Sequence, residues 1–180
     1  MRLVTALSAL LLASFAAAPA VGQGQGRDDL ANLKSLLLQL KVNPYPPPRE
    51  RSAQLVVAVV RRMDVSTIDR ATIDEIAGHL EDNSDVVRGR MAIALGNIGD
   101  AAKHTVPALE KAFVRAKEHV ASTRGSPPPR GYRNYGGGTS ADGICFALQR
   151  LEAASPPGCV DGRYDAEVEP SASGLPGQQP

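Results

Sequence analysis

The sequence predicts an all-α protein built from about three helix pairs, with an insertion loop in the last pair and a disordered C-terminal tail. Apolar residues recur with the period of an α-helix in five stretches of the chain. Three segments also align with one another, which is typical of a repeat protein. The composition suits closely packed helices, because 43% of the 180 residues are hydrophobic, led by Ala, Val and Leu, and 4% are aromatic.

The charge and the aromatic content exclude a role in binding nucleic acid. Lys and Arg total 20 and Asp and Glu total 19, so no basic surplus draws the protein to a nucleic acid or to an anionic membrane. Three Phe and four Tyr, without Trp, are too few for a surface that stacks bases. The length fits one domain of ordinary size.

The N-terminal segment 1–20 has the pattern of a signal peptide. Arg2 supplies a positive charge, residues 3–18 are uncharged, and Ala18 and Ala20 are the small residues that a signal peptidase reads. The sequence therefore predicts an exported protein, periplasmic or secreted. An uncleaved membrane anchor is the alternative, although the apolar run is short for a bilayer core.

We expect cleavage near Ala20, or alternatively near Gly22, and a flexible linker at 21–27. No stable membrane insertion is expected after cleavage.

The first predicted helix begins near Asp28 and carries apolar residues on one face. These residues have the spacing i, i+3, i+7 and i+10: Leu30, Leu33, Leu37 and Leu40. Prolines at 44, 46, 47 and 48 end this helix. By periodicity alone, the Val-rich stretch 51–63 that follows is either a helix or a buried strand.

Four further helices are predicted from the same spacing and from cap residues. Thr72 and Glu75 have the spacing of a capping box, and Ser84 or Asp85 can cap the next helix, which stops at Gly99. The apolar stripes of the four helices are Ile73, Ile76, Ala77 and Leu80; Val87, Met91, Leu95 and Ile98; Val106, Leu109, Phe113 and Val120; and Ile144, Ala147, Leu148 and Leu151.

The second helices of the three pairs align with one another. Ala94 lies 36 residues after Ala58 and 53 residues before Ala147, and an apolar residue stands three positions before each of these alanines. The alignment favours a helix for the stretch 51–63. The helical domain at 28–154 then divides into units of about 28–64, 67–99 and 100–154, with an insertion at 124–140.

The middle unit resembles the HEAT repeat family. The residues that carry the resemblance are Asp82, Val87-Arg88, Ala92, Ala94-Leu95-Gly96, Ile98-Gly99 and Pro107-Ala108-Leu109. The resemblance is specific over about 73–113 and covers only the outline of the flanking pairs. It implies a short right-handed α-solenoid (an α-α superhelix), in which each helix pair buries its apolar face against its neighbours.

The resemblance also implies a repeat ladder. In HEAT arrays an Asp in the turn within the repeat and an Arg six residues later pair with neighbouring repeats, and Asp82 and Arg88 have this spacing. Ser52 and Ala141 stand at the position of Arg88 in the other two units, so the ladder is not expected to run the length of the chain.

The resemblance further implies a surface for a partner. The second helix of each HEAT pair lines the concave surface, which makes the outward residues of these helices candidates for partner binding: Arg61, Arg62, Arg90, Asn97, Gln149 and Arg150. A solvated polar face is the alternative for these side chains.

The insertion and the tail differ from the helical units in composition. Arg130, Tyr132, Arg133 and Tyr135 are residue types that anchor interfaces, and stacking of the pairs does not require the insertion. We therefore expect this loop to contribute to partner binding. The tail at 155–180 is rich in Pro and Gly and is expected to be mostly disordered, apart from the neighbourhood of Cys159.

Cys145 and Cys159 are the two cysteines of the chain. In an exported protein such a pair is expected to form a disulfide, here one that attaches the tail to the last helix. A buried Cys145 with a free Cys159 is the alternative.

Motifs that carry chemistry are missing from the sequence. The histidines at 79, 104 and 119 are too far apart to share a helical turn as metal ligands, and no HExxH, CxxC or GxSxG motif is present. The sequence predicts no catalytic, cofactor or metal site.

The sequence therefore predicts an exported, non-catalytic HEAT-repeat adaptor or scaffold that binds a protein or peptide. The alternatives are an accessory or lyase-like HEAT protein that assists cofactor attachment or enzyme maturation, and a structural subunit of a cell-envelope assembly.

Overall fold

The computed structural model describes residues 22–123 and 139–166, which are mostly helical. Six α-helices lie in these two ranges: α1 (Gly22–Val42), α2 (Pro46–Arg62), α3 (Arg70–Gly78), α4 (Asp85–Ile98), α5 (Val106–Thr123) and α6 (Ser140–Arg150). Short 3-10 helices at Val65–Thr67, His79–Glu81 and Gly99–Thr105 join them, and an antiparallel hairpin of β1 (Cys159–Val160) and β2 (Arg163–Tyr164) follows α6. The structure confirms that the protein is mostly helical, and the Val-rich stretch is helical as expected.

The structure covers only part of the predicted organisation. The signal peptide at 1–20 lies outside the described residues, as do residues 124–138 of the insertion and 167–180 of the tail. Thr139 and Ser140, assigned to the insertion from the sequence, cap and begin α6. The neighbourhood of Cys159 was the part of the tail excepted from the expected disorder, and residues 159–164 form the hairpin there.

Helix α1 begins at Gly22, so residues 22–27 are helical where a linker was expected. Once a packed turn exists, a helix gains one hydrogen bond for each residue added, and it can extend through residues of low propensity. The face of α1 that packs was predicted correctly: Leu33, Leu37 and Leu40 are buried and Leu30 is partly buried.

Helix α2 begins at Pro46, five residues before the start of the Val-rich stretch. Proline is compatible with the first turn of a helix, where the missing N–H has no partner in any case. The run of prolines therefore ends α1 and also starts α2. Arg49 and Arg51 consequently lie on the first turns of a helix.

The caps of α3 and α4 follow from local side chains. The N-cap of α3 is Asp69, whose carboxylate accepts the N–H of Thr72 at 2.7 Å, so the predicted capping box of Thr72 and Glu75 does not form. An Asp three residues upstream of Thr72 competes for the same N–H and begins the helix earlier. Helix α4 begins after Ser84 and ends at Gly99, as predicted, where a φ of 73° favours glycine.

The second helices of the three pairs pack side by side. Helix α4 contacts both α2 and α6, while α1 packs on α2, α3 on α4 and α5 on α6. Glycines allow α4 and α6 to approach closely: a Cβ added at Gly96 would lie 2.9 Å from the Cα of Ala147, and one added at Gly143 would lie 2.9 Å from the Cα of Gly89. The predicted apolar stripes of α3, α4 and α6 meet in one continuous core.

Candidate partner-binding surface

A row of partly buried and exposed side chains crosses the side-by-side helices α2, α4 and α6. On α4 these residues recur at intervals of four, three and four and therefore share one face of the helix: Val86, Arg90, Ile93 and Asn97. On α2 the neighbouring residues are Gln54 and Arg61, which lie two turns apart. On α6 they are Phe146 and, one turn further on, Arg150. The Phe146 side chain contacts Gly96 of α4. We call these eight residues the arginine face.

The arginine face carries positive charge. Burial lowers the pKa of the Arg90 guanidinium, and the positive charge of Arg61 lowers it further. Arg61 and Arg150 are exposed, and no carboxylate of the described residues forms an ion pair with either. Arg61 and Arg150 are therefore available to an anionic group.

Two amide side chains add hydrogen-bond donors to this face. The Nε2 atom of Gln54 and the Nδ2 atom of Asn97 are buried, and neither has a hydrogen-bond partner in the described part of the chain. A buried polar group without a partner costs about 1–3 kcal/mol. Each of the two groups requires an acceptor oxygen, such as that of a carbonyl or a carboxylate.

The other residues predicted for partner binding have different positions. Arg62 donates two hydrogen bonds to Oδ1 of Asp29 on α1, at 3.1 and 2.9 Å, and so holds α1 against α2. Gln149 is exposed but its amide oxygen contacts Gly162 in the turn of the hairpin. The loop residues Arg130, Tyr132, Arg133 and Tyr135 lie outside the described residues.

Of the two predicted ladder residues, Asp82 joins neighbouring units, whereas the contacts of Arg88 lie within the middle unit. The Asp82 carboxylate forms an ion pair with Arg49 at the start of α2 and accepts the N–H of Ser84 at 2.8 Å. Arg88 donates to the backbone carbonyl of Asp82 at 2.8 Å and to the carboxylate of Asp85 at 2.8 Å, so the two ladder side chains do not pair with each other.

Asp85 provides a polar contact to the third unit. Its carboxylate accepts the N–H of Ser140 at 3.0 Å and also the hydroxyl of Ser140, at the start of α6. Polar contacts therefore connect the beginnings of α2, α4 and α6. Sequence alignment missed them because Arg49 and Ser140 do not occupy the aligned positions of Arg88.

A groove with a volume of about 700 Å³ lies beside the arginine face on α2. The described residues that line it are Pro47, Pro48, Arg51, Gln54 and Leu55, which share one side of the helix. Gln54 belongs both to this groove and to the arginine face. We call these five residues the α2 groove.

Sequence reasoning missed the α2 groove. The prolines were interpreted only as the end of α1, so Pro47 and Pro48 were not placed on a helix with Arg51. The available signal was that a Pro run followed by an Arg-Glu-Arg segment can occupy the first turns of a helix.

The predicted disulfide between Cys145 and Cys159 is present and joins α6 to the first strand of the hairpin. Within residues 22–123 and 139–166, no group of three or more His, Cys, Asp and Glu side chains could hold a metal ion. In the same two ranges, no helix combines the length and the apolar character needed to cross a membrane.

The chain matches no protein-family model, no curated protein sequence and no solved structure.

Proposed function

We propose that this protein is an exported, non-catalytic adaptor, built as a short HEAT-like α-solenoid, that binds a segment of a partner protein across the arginine face. The side-by-side packing of α2, α4 and α6 supports the solenoid, since it repeats one helix contact from unit to unit. The disulfide supports export, because such bonds persist in oxidising compartments.

The observation that carries the proposal is the chemistry of the arginine face. Cations and buried amide donors lie together on three helices, whereas acceptors for the amide groups of Gln54 and Asn97 are missing among the described residues. A peptide segment offers a carbonyl oxygen at every residue and carboxylates on its acidic side chains. Guanidinium groups bind carboxylates through paired hydrogen bonds.

The proposal is tested by reversing charge on the arginine face. We expect the double variant Arg61→Glu/Arg150→Glu to retain a partner at least about tenfold less well than the native protein, because each substitution replaces a favourable charge contact by a repulsive one. The measurement is affinity enrichment from the exported fraction of native cells on the immobilised protein, quantified by mass spectrometry.

The matched control is the double variant Arg70→Glu/Lys111→Glu. It makes the same change in net charge at side chains that are 74% and 73% exposed on α3 and α5, where ion pairs contribute little to stability. A partner kept by the native protein and the control but lost by the arginine-face variant supports the proposal. A partner kept equally by all three proteins, or no specific partner at all, contradicts it.

A further inference from the structure

We infer that the α2 groove holds an apolar side chain next to a carboxylate, so that the segment bound by the protein is acidic and amphipathic. The inference rests on the proposed function and specifies the partner that it binds. The groove combines three features that together select such a ligand: an apolar wall, a cation and an unused hydrogen-bond donor.

The apolar wall is formed by Pro47, Pro48 and Leu55. Leu55 is 46% exposed although it lies on a helix whose neighbouring valines are buried. A volume of about 700 Å³ is within the range of ligand pockets, about 300–1,000 Å³. An aliphatic side chain in the groove would remove this apolar surface from water.

The cation is Arg51, which is exposed and lies within the groove. No carboxylate in the described part of the chain forms an ion pair with it. The donor is Nε2 of Gln54, which is buried and without a partner among the described residues. A carboxylate beside the apolar side chain can accept from the exposed Arg51 guanidinium, and it reaches Nε2 of Gln54 when the amide turns into the groove.

The spacing of the cations sets the spacing of the acidic residues. Arg51 and Arg61 are ten residues apart on α2, which corresponds to about 15 Å along a helix at about 1.5 Å per residue. An extended peptide covers this distance in about four residues, at about 3.3 Å per residue. Carboxylates four residues apart also lie on the same side of an extended chain, so one segment can reach both arginines.

Charge complementarity favours a peptide over a nucleic acid. The face offers a few cations beside an apolar groove, whereas a nucleic acid requires a continuous basic surface, and the chain carries 20 basic against 19 acidic residues. The partner is therefore a protein segment in which apolar and acidic residues are adjacent.

The test uses the purified full chain and a fluorescein-labelled peptide of about ten residues that contains two Leu-Asp pairs with carboxylates about four residues apart. Binding is measured by fluorescence anisotropy at low and at physiological salt. We expect Arg51→Glu, and separately Leu55→Asp, to weaken binding by at least about tenfold. Gln54→Leu, which keeps the size of the side chain and removes the donor, is expected to weaken binding by a smaller factor.

Three controls make the result specific. Arg70→Glu, on α3, should bind the peptide as the native protein does, and thermal melts identify any variant that fails to fold. Peptides with Asn in place of Asp, or with Ala in place of Leu, should bind at least about tenfold more weakly. Equal binding of either control peptide, unchanged binding by Arg51→Glu, or tighter binding of a single-stranded oligonucleotide of equal charge would overturn the inference.

The two proposals fail separately. If native partner capture is lost with Arg61→Glu/Arg150→Glu but unaffected by Arg51→Glu, the adaptor function stands and the role of the α2 groove is refuted. If Arg51→Glu abolishes binding of the Leu-Asp peptide while Arg61→Glu/Arg150→Glu leaves partner capture unchanged, the α2 groove is supported as a peptide site. The arginine face is then refuted as the surface that binds the partner.

Discussion

Asp82 joins the first and second helix pairs through a single carboxylate. Its side chain is 3% exposed and its ion-pair partner Arg49 is 17% exposed, so both charges are largely removed from water. The same carboxylate accepts the N–H of Ser84, the N-cap of α4. Removal of one member of such a pair leaves the other buried without a counter-ion, which is the costly case for a buried charge.

We expect Asp82→Ala to lower the free energy of unfolding by about 3 kcal/mol, as measured by urea denaturation. The double variant Arg49→Ala/Asp82→Ala should cost less than the sum of the two single variants, because the unpaired charge is then removed as well. Asp100→Ala, at a side chain that is 90% exposed, serves as the control and should stay within about 0.5 kcal/mol of the native protein. Additive single and double effects would show that Arg49 and Asp82 are not coupled.

The hairpin is held on α6 by several independent contacts. Asp142, part of the capping box of α6, accepts the N–H of Tyr164 at 3.1 Å. The Tyr164 ring packs edge-on against Phe113 of α5, with centroids 5.7 Å apart. The disulfide adds a covalent link from Cys145, which is buried in α6, to Cys159 in β1. The hairpin therefore covers the end of the third helix pair.

The disulfide is expected to stabilise the protein by about 3 kcal/mol, the value for a closed loop of this length in the chain-entropy account. The two cysteines are 14 residues apart in the sequence. Cys145→Ala/Cys159→Ala, and reduction of the native protein, should each lower the urea midpoint and increase hydrogen exchange at 159–164. Circular dichroism should change little, because the six helices remain. An unchanged midpoint after complete reduction would contradict this prediction.

The sequence predicted the elements where a local pattern determines them. Apolar spacing located the packed faces of the helices, and Ser84 and Gly99 marked the ends of α4, because caps depend on neighbouring residues. The hairpin was missed because its contacts with Phe113 and Asp142 are distant in the sequence. The sequence offered two acceptors for the N–H of Thr72, namely Asp69 and Glu75, and local spacing does not choose between them. In the structure Asp69 accepts this N–H, and its carboxylate also accepts a hydrogen bond from Lys34 of α1.

The candidate surface was predictable in outline only. Arg61, Arg90 and Arg150 were proposed for partner binding because the aligned second helices carry them, and the arginine face contains all three. The α2 groove and the contact between Arg49 and Asp82 required the position of the first turns of α2, which begin inside a proline run. Repeat alignment compares equivalent positions, whereas these contacts join positions that are not equivalent.

Across the molecule as a whole, His79 lies where the first two helix pairs meet. It is in the 3-10 turn between α3 and α4, with its side chain 15% exposed. Burial is the main cause that lowers its pKa below the usual value of 6.5. Glu75 raises the pKa in part, while Arg49 of α2 and Lys41 of α1 lower it. The Asp82 carboxylate lies 3.9 Å from Nδ1 of His79, so the charges around this imidazole come from three helices and from the turn before α4.

The stability of the whole protein should therefore fall with pH below neutrality. Because the pKa of His79 is lower in the folded than in the unfolded chain, the unfolded chain binds more protons once the pH falls below about 6.5. The free energy of unfolding is unaffected by this group above that value and decreases as the pH falls through the folded pKa. The pKa of Asp69, lowered to about 2 chiefly by its hydrogen bond from Lys34, affects stability only in more acidic solution.

We expect His79→Gln to flatten the dependence of the unfolding free energy on pH between about 7 and 5, as measured by urea denaturation at a series of pH values. Above about pH 7.5 the two proteins should differ by a constant amount, which reports the packing change caused by the substitution and serves as the internal control. Parallel pH profiles throughout would show that protonation of His79 does not weaken the junction. A steeper profile in the variant would show that the imidazolium, held by Glu75, stabilises the junction.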